Sequence, residues 1–397
     1  MKVPEHDAAG GPARPSADRL SPDAMREIPV LPATTAENAQ SPLLKMAQTT
    51  PTAYWNDSCA ADELKYAIAR GAVGATSNPS IVLDVMRRER DYWDPRVRRL
   101  ALENPTWSEV ELTWAVVDEM VVRAAEMLRP VFEGTRGNAG RISVQTNPAN
   151  YPDAAKMVEQ AVAFNRLAPN IQVKLPTTAA GLVAMEEATR LGVNINATVS
   201  FTVAQAVAAA EAVERGLRRR AEQGGDIASM TPVVTMMVGR LDDWMKALVE
   251  RDGIAIHPDA PNWAGVAAFK RAYGIFVERG YRAQLLAAAY RHRLHWTEFV
   301  GGNVILTMPH VWQVRFNGSG IAPAARMDEP VDPMIVDELM TRIPDFRRAY
   351  EPDGLGAPEF ASYGASTRTL RSFVKSYHDL QATIRDLMLP DPDSSAG

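Results

Sequence analysis

From about Ser41 onward, short apolar or alternating runs take turns with longer stretches whose apolar residues recur every three to four positions, the signature of a repeated strand–helix unit. The short runs fall at residues 52–57, 74–78, 141–147, 171–175, 193–200, 232–238, 283–289 and 303–308. Eight strands are the number that closes a parallel barrel. The chain is therefore expected to be an α/β protein, with a (β/α)8 TIM barrel over residues 42–320.

The intervening helices carry their own signals. Ser108 and Glu111 offer a capping box ahead of a stripe of Val110, Trp114, Val117, Val121 and Leu128. Thr177 or Thr178 is placed to cap a helix carrying Leu182, Met185 and Ala188, with Gly192 at its C-terminus. Val203, Val207, Ala210, Val213 and Leu217 trace another stripe. Arg218, Arg219 and Arg220 at its end suit a solvated face favoured by the helix dipole. Beyond Ile321 the pattern is helical only, ending in a stripe of Leu370, Phe373, Tyr377, Leu380, Ile384 and Leu387. Residues 321–397 are thus expected to form C-terminal helices packed on the barrel. Residues 1–41 are rich in Pro, Ala, Asp and Glu and lack an apolar run long enough for a signal peptide or membrane span, so a flexible, loosely attached tail is expected there.

Polar residues break the strands in step. Residues two apart on a strand share a face. On that count Asn194, Asn196, Thr198 and Ser200 share one face of the fifth strand, Ser143, Gln145 and Asn147 one of the third, and Gln172 and Lys174 one of the fourth. Asp57 closes the first strand and Asn78 the second. Each alone reads as a strand-end cap or turn former. Together, pointing inward, they would cluster at the C-terminal mouth, where barrel enzymes keep their sites. Lys174 lies between Val173 and Leu175, so its amine either snorkels to water or is held for chemistry. Desolvation lowers an ammonium's pKa and leaves free amine to attack a carbonyl, which fits Schiff-base formation.

Composition narrows the alternatives. The 397 residues are 46% hydrophobic and carry a net charge of −5, enough for a full core and without the basic field that nucleic acid or an anionic membrane requires. Cys59 is the single cysteine, which excludes an intrachain disulfide or cysteine metal cluster and suits a reducing, cytoplasmic compartment. The six histidines lack HExxH spacing, and His292 and His295, beside Arg291 and Arg293, read as surface residues; no metal is expected. No GxSxG elbow, P-loop or GxGxxG is present.

With these residues assembled, the chain from about Tyr54 to Val311 resembles the transaldolase family of Schiff-base aldolases. Asn56-Asp57-Ser58 resembles its first-strand aspartate motif, Gly74-Ala75-Thr76-Ser77-Asn78-Pro79-Ser80 its Gly-Ala-Thr-Thr-Asn-Pro-Ser, and Val173-Lys174-Leu175-Pro176-Thr177-Thr178 its lysine motif. Asn196-Ala197-Thr198, Val238-Gly239-Arg240-Leu241-Asp242-Asp243-Trp244 and Ala289-Tyr290-Arg291 follow in order. The resemblance implies a barrel with the imine-forming lysine, Lys174, on the fourth strand. It gives Asp57 proton transfer, Asn78 and Asn196 the dihydroxyacetone hydroxyls, Thr198 the water, and Arg240 and Arg291 the phosphate. It also implies a cofactor-free cytoplasmic enzyme of the pentose phosphate pathway, moving a dihydroxyacetone unit from sedoheptulose 7-phosphate or fructose 6-phosphate to an aldose phosphate. Partners are expected to be small sugar phosphates, with no nucleic acid or membrane, and a homodimer is an open expectation.

Two positions depart from the family. Gln145 stands where typical transaldolases have a glutamate that handles the water, and an amide cannot take a proton. Related barrel aldolases using free dihydroxyacetone carry glutamine there, so aldolase activity is an alternative, as is a silent sugar-phosphate-binding barrel. Thr235-Met236-Met237 replaces Ser-Pro-Phe, with Thr235 able to supply the serine's hydroxyl.

Overall fold

A computed structural model describes residues 41–389 of the chain; the expected N-terminal tail up to residue 40 and the last eight residues lie outside the described residues. Eight parallel strands close a barrel in sequence order: β1 (Ala53–Asn56), β2 (Gly74–Thr76), β3 (Arg141–Gln145), β4 (Ile171–Pro176), β5 (Ile195–Ser200), β6 (Val233–Met236), β7 (Gln284–Ala287) and β8 (Ile305–Met308). β1 meets β8 with Ala53 opposite Ile305 and Asn56 opposite Met308, which closes the ring. The (β/α)8 fold expected from the alternation is the fold observed.

Most strands are shorter than the runs that mark them; at β2 and β3 the last polar residues leave to start the next element. Asn78 caps the helix Pro79–Arg88, its Oδ1 accepting from the Ile81 amide at 3.0 Å. Asn147 caps a short turn at Pro148–Asn150 in the same way. In both places a proline follows and pre-sets the first helical φ. Ser108 and Glu111 form their capping box, and Thr178 caps Ala179–Arg190. Alternation along β5 is interrupted by a register shift between Ala197 and Ser200, with Val199 at a φ of 52°. A β-branched residue there is strained, and the simple two-residue repeat expected to run from Asn194 to Ser200 does not continue past Thr198.

The barrel interior is split by polarity. Its N-terminal half is packed by Ala53, Trp55, Val233, Leu286 and Ile305. Gly74 is required beside Trp55, since a Cβ there would sit 2.5 Å from the indole. Arg141 closes that end, donating to Thr231 Oγ1 and to the carbonyls of Gly137, Pro169 and Ser229. Burial lowers its pKa to about 10. The C-terminal half is polar and contains the candidate site. Outside the barrel, the helices bury their apolar stripes against the outward faces of the strands in one continuous core.

After the barrel come helices at Pro333–Arg342, Pro344–Tyr350 and Gly364–Met388. The last buries Leu370, Phe373, Tyr377, Leu380 and Ile384. Three bonds fix its course: Gln205 donates to Ser366 at 3.1 Å, Arg240 to Thr369 at 3.2 Å, and Ser80 to Ser376 at 2.7 Å. Gln205, Arg240 and Ser80 sit in the first turns of the helices that follow β5, β6 and β2, so this C-terminal helix lies across the mouth of the barrel. Among the described residues, no helix is long and apolar enough to cross a membrane.

Candidate active site

β4 carries Lys174 into the polar half of the barrel, with Gln145 of β3 and Asn196 of β5 as its register neighbours. Only 5% of Lys174 is exposed, and its Nζ donates to the Ser77 carbonyl at 3.2 Å. Burial lowers its pKa to about 8, against the opposing pull of Asp57. About a tenth of the side chain is then free amine at pH 7. Snorkelling to water, the bland alternative for this lysine, is not what the side chain does.

Asp57 follows β1 directly, and its amide donates to the Met308 carbonyl. Thr76 Oγ1 donates to its carboxylate at 2.5 Å. Because that proton is committed, Thr307 must donate to Thr76 across their 2.7 Å contact, giving a directed chain from Thr307 through Thr76 to Asp57. Burial raises the Asp57 pKa; Lys174 and the Thr76 bond oppose the rise. The pair thus consists of an amine made less basic and a carboxyl made more basic by the same dry surroundings, which narrows the gap between the two groups' proton affinities.

Around them runs a second network. Thr235 donates to Asn196 Oδ1 at 2.7 Å, Asn196 Nδ2 donates to Ser143 at 3.1 Å, Ser143 to Gln172 at 2.9 Å, and Gln172 to the Thr231 carbonyl at 2.9 Å. These bonds orient Asn196 and leave its second N–H for a ligand. The cap bond of Asn78 likewise occupies its oxygen and leaves its amide hydrogens free. Thr198 is buried opposite Pro176, and its carbonyl receives both the amide and the hydroxyl of Thr177. Gln145 is buried too, and its Oε1 accepts no bond from the protein. It shares a small cavity with Ser77, Asn78, Trp114, Val117, Tyr377 and Leu380.

The two arginines meet through a close approach of backbones. A Cβ on Gly239 would lie 1.7 Å from the Ala289 carbonyl, and Ala289 itself has a φ of 68°. This brings Arg240, on the first turn after β6, beside Arg291, in the loop after β7. Arg240 is half-buried, donates to Thr369 and lies 5.0 Å over the Phe373 ring. Burial, then the Arg291 charge, lowers its pKa. Arg291 is more open and holds Asp243 through Nε and Nη2, the latter at 2.7 Å.

The sequence profile of the family described as Transaldolase/Fructose-6-phosphate aldolase matches residues 54–342. The chain belongs to this family. It is a transaldolase-family enzyme. A transaldolase of Thiobacillus denitrificans is 30% identical over 323 residues, covering 74% of this chain and 87% of that protein. One of Mycobacterium marinum is 28% identical over 301 residues, covering 68% and 80%, and one of Mycolicibacterium smegmatis 28% over 353, covering 80% and 94%.

Against that family background, several neighbours of the site were not singled out by sequence. Thr76 lies inside the Gly74–Ser80 motif. Thr307, at the end of β8, carries no local signal. Thr369, Phe373 and Tyr377 reach the mouth only through the long-range course of the C-terminal helix. The reading of the histidines as surface residues fails at His295, which is fully buried. A single turn at Leu294–Thr297 rotates His295 and Trp296 inward while Arg291 and Arg293 stay out. His295 and His292 both contact Asp242 Oδ2, at 2.8 and 2.9 Å.

Proposed function

We propose that Lys174 attacks the carbonyl of a ketose phosphate and, with loss of water, forms an imine whose cationic form draws electrons from the bond between the α and β carbons next to it. Asp57 takes the proton from the hydroxyl on the β carbon, and that bond breaks to an aldose and a three-carbon enamine on Lys174. An aldose phosphate then accepts the three-carbon unit by the reverse steps. Asn78 and Asn196 would hold the donor's hydroxyls, Thr235 orients Asn196, Thr198 and Gln145 would bind the water, and Arg240 and Arg291 would grip the phosphate. The observation that carries this reading is the buried Lys174 amine beside Asp57, each shifted toward the other's range. The single cysteine fits a cytoplasmic setting. Gln145 favours a second reading, release of free dihydroxyacetone by the same machinery, because the related barrel aldolases that use free dihydroxyacetone carry glutamine at that position.

Incubation with fructose 6-phosphate separates the readings. Transfer to an added aldose phosphate, with little product in its absence, supports transaldolase; equal release of dihydroxyacetone without acceptor supports the aldolase; no turnover in either case contradicts both. Arg240→Ala is expected to lower specificity for phosphorylated substrates about ten- to a hundredfold, the worth of a charge-assisted bond. Arg291→Ala is expected to act in the same direction but less strongly, since Asp243 already balances its charge. Equal losses on unphosphorylated substrates in steady-state kinetics would contradict the assignment.

A further inference from the structure

Asp242, His292 and His295 bring three potential metal ligands within 4.8 Å of one another. The bond on the far side of His295 decides against a metal there. The Arg291 amide donates to His295 Nδ1 at 3.1 Å. A neutral imidazole accepts at one nitrogen and carries its proton on the other, so Nε2 bears the hydrogen and points it at Asp242. An Nε2 that donates cannot also ligate. Full burial favours this neutral form. Asp242 is itself held: Oδ1 accepts from the Gly265 amide at 2.7 Å, while Oδ2 faces both histidines.

From this geometry we infer that Asp242 and His295 are positioning residues for substrate binding: they hold the backbone of Arg291, and so the spacing of the arginine pair. The inference rests on the proposed phosphate role of those arginines. Asp242 belongs to the same helix as Arg240, two residues on, so the chain Asp242–His295–Arg291 ties the loop after β7 to the helix after β6. Ala289 adopts its left-handed φ two residues before Arg291. A loop held in a sparsely populated conformation needs fixed partners, and the His295 acceptor is one.

His295→Phe keeps a ring and removes both bonds. It is expected to raise KM for phosphorylated substrates about three- to tenfold, with kcat and the kinetics of unphosphorylated substrates little changed. His295→Asn, which keeps an acceptor near Nδ1, is expected to restore most of the loss. Asp242→Asn, keeping its oxygen on Gly265, turns an N–H toward Nε2, forces the other tautomer and sets N–H against the Arg291 N–H. The same KM signature is expected. Long-range proton–nitrogen spectra of the parent enzyme labelled with 15N-histidine should show His295 as the Nε2–H tautomer, and this measurement stands even where a variant does not fold. An Nδ1–H tautomer, or folded variants that lose phosphorylated and unphosphorylated substrates alike, would overturn the inference. Arg291→Ala runs in parallel: failure of that variant to discriminate substrates overturns the phosphate reading, whereas discrimination by Arg291→Ala but not by His295→Phe overturns the positioning role alone.

Discussion

Asp57→Asn is expected to slow carbon–carbon cleavage by about a hundred- to ten-thousandfold, the usual worth of a general base. The replacement is nearly isosteric and its oxygen can still accept from Thr76, so the Thr307–Thr76 chain has no cause to collapse. What is lost is a site for the proton. The effect on Lys174 has the opposite sign. Asp57 raises the pKa of the lysine, so removing its charge lowers that pKa further and increases the fraction of free amine at neutral pH. Imine formation should therefore be as fast as in the parent or faster, and trapped adduct should accumulate while cleavage stalls. Single-turnover measurements of adduct and aldose separate the two steps. Equal slowing of both would show that Asp57 serves the fold, and cleavage at the parental rate would remove it from the chemistry.

Gln145→Glu should act on the water steps. Oε1 of Gln145 is buried without a protein donor, so a carboxylate introduced there can take a proton from water or substrate without breaking an existing bond at that atom. Transfer is expected to rise at the pH optimum by as much as about a hundredfold, part of the range for acid–base help. The optimum should move to higher pH for two reasons. The cavity walls include Val82, Val117, Val144 and Leu380, so the new carboxyl is poorly solvated and its pKa rises. The new carboxylate would also stabilise the ammonium of Lys174, its register neighbour, and delay its deprotonation. A variant matching the parent at every pH would place Gln145 away from the chemistry. A loss at every pH would mean a pocket built around the amide.

The parts of this enzyme that the sequence discloses are those governed by local periodicity. Lys174, Gln145 and Asn196 fall at matched positions of adjacent strands because alternation has a period of two and parallel strands repeat their register. Asn78 and Asn147 announce strand ends because a proline follows each. The apolar stripe from Leu370 to Ile384 marks a helix and its buried face, but no local rule says that this face covers the mouth. That depends on bonds from Gln205, Arg240 and Ser80, residues far away in sequence. His295 is hidden for a similar reason: its sequence neighbours are basic, while its partner Asp242 belongs to another helix. The bulge at Val199 is not legible either, since Val favours the extended conformation that this position does not adopt.

The most direct test is borohydride reduction in the presence of a ketose phosphate, followed by peptide mapping, over a range of pH. One reduced adduct is expected, on Lys174 and absent from Lys174→Met, with a rate of formation that rises with pH until it levels off near pH 8, as the ammonium gives way to free amine. An adduct on another lysine, no adduct at all, or a rate that keeps rising toward the ordinary lysine pKa near 10.5 would contradict this expectation.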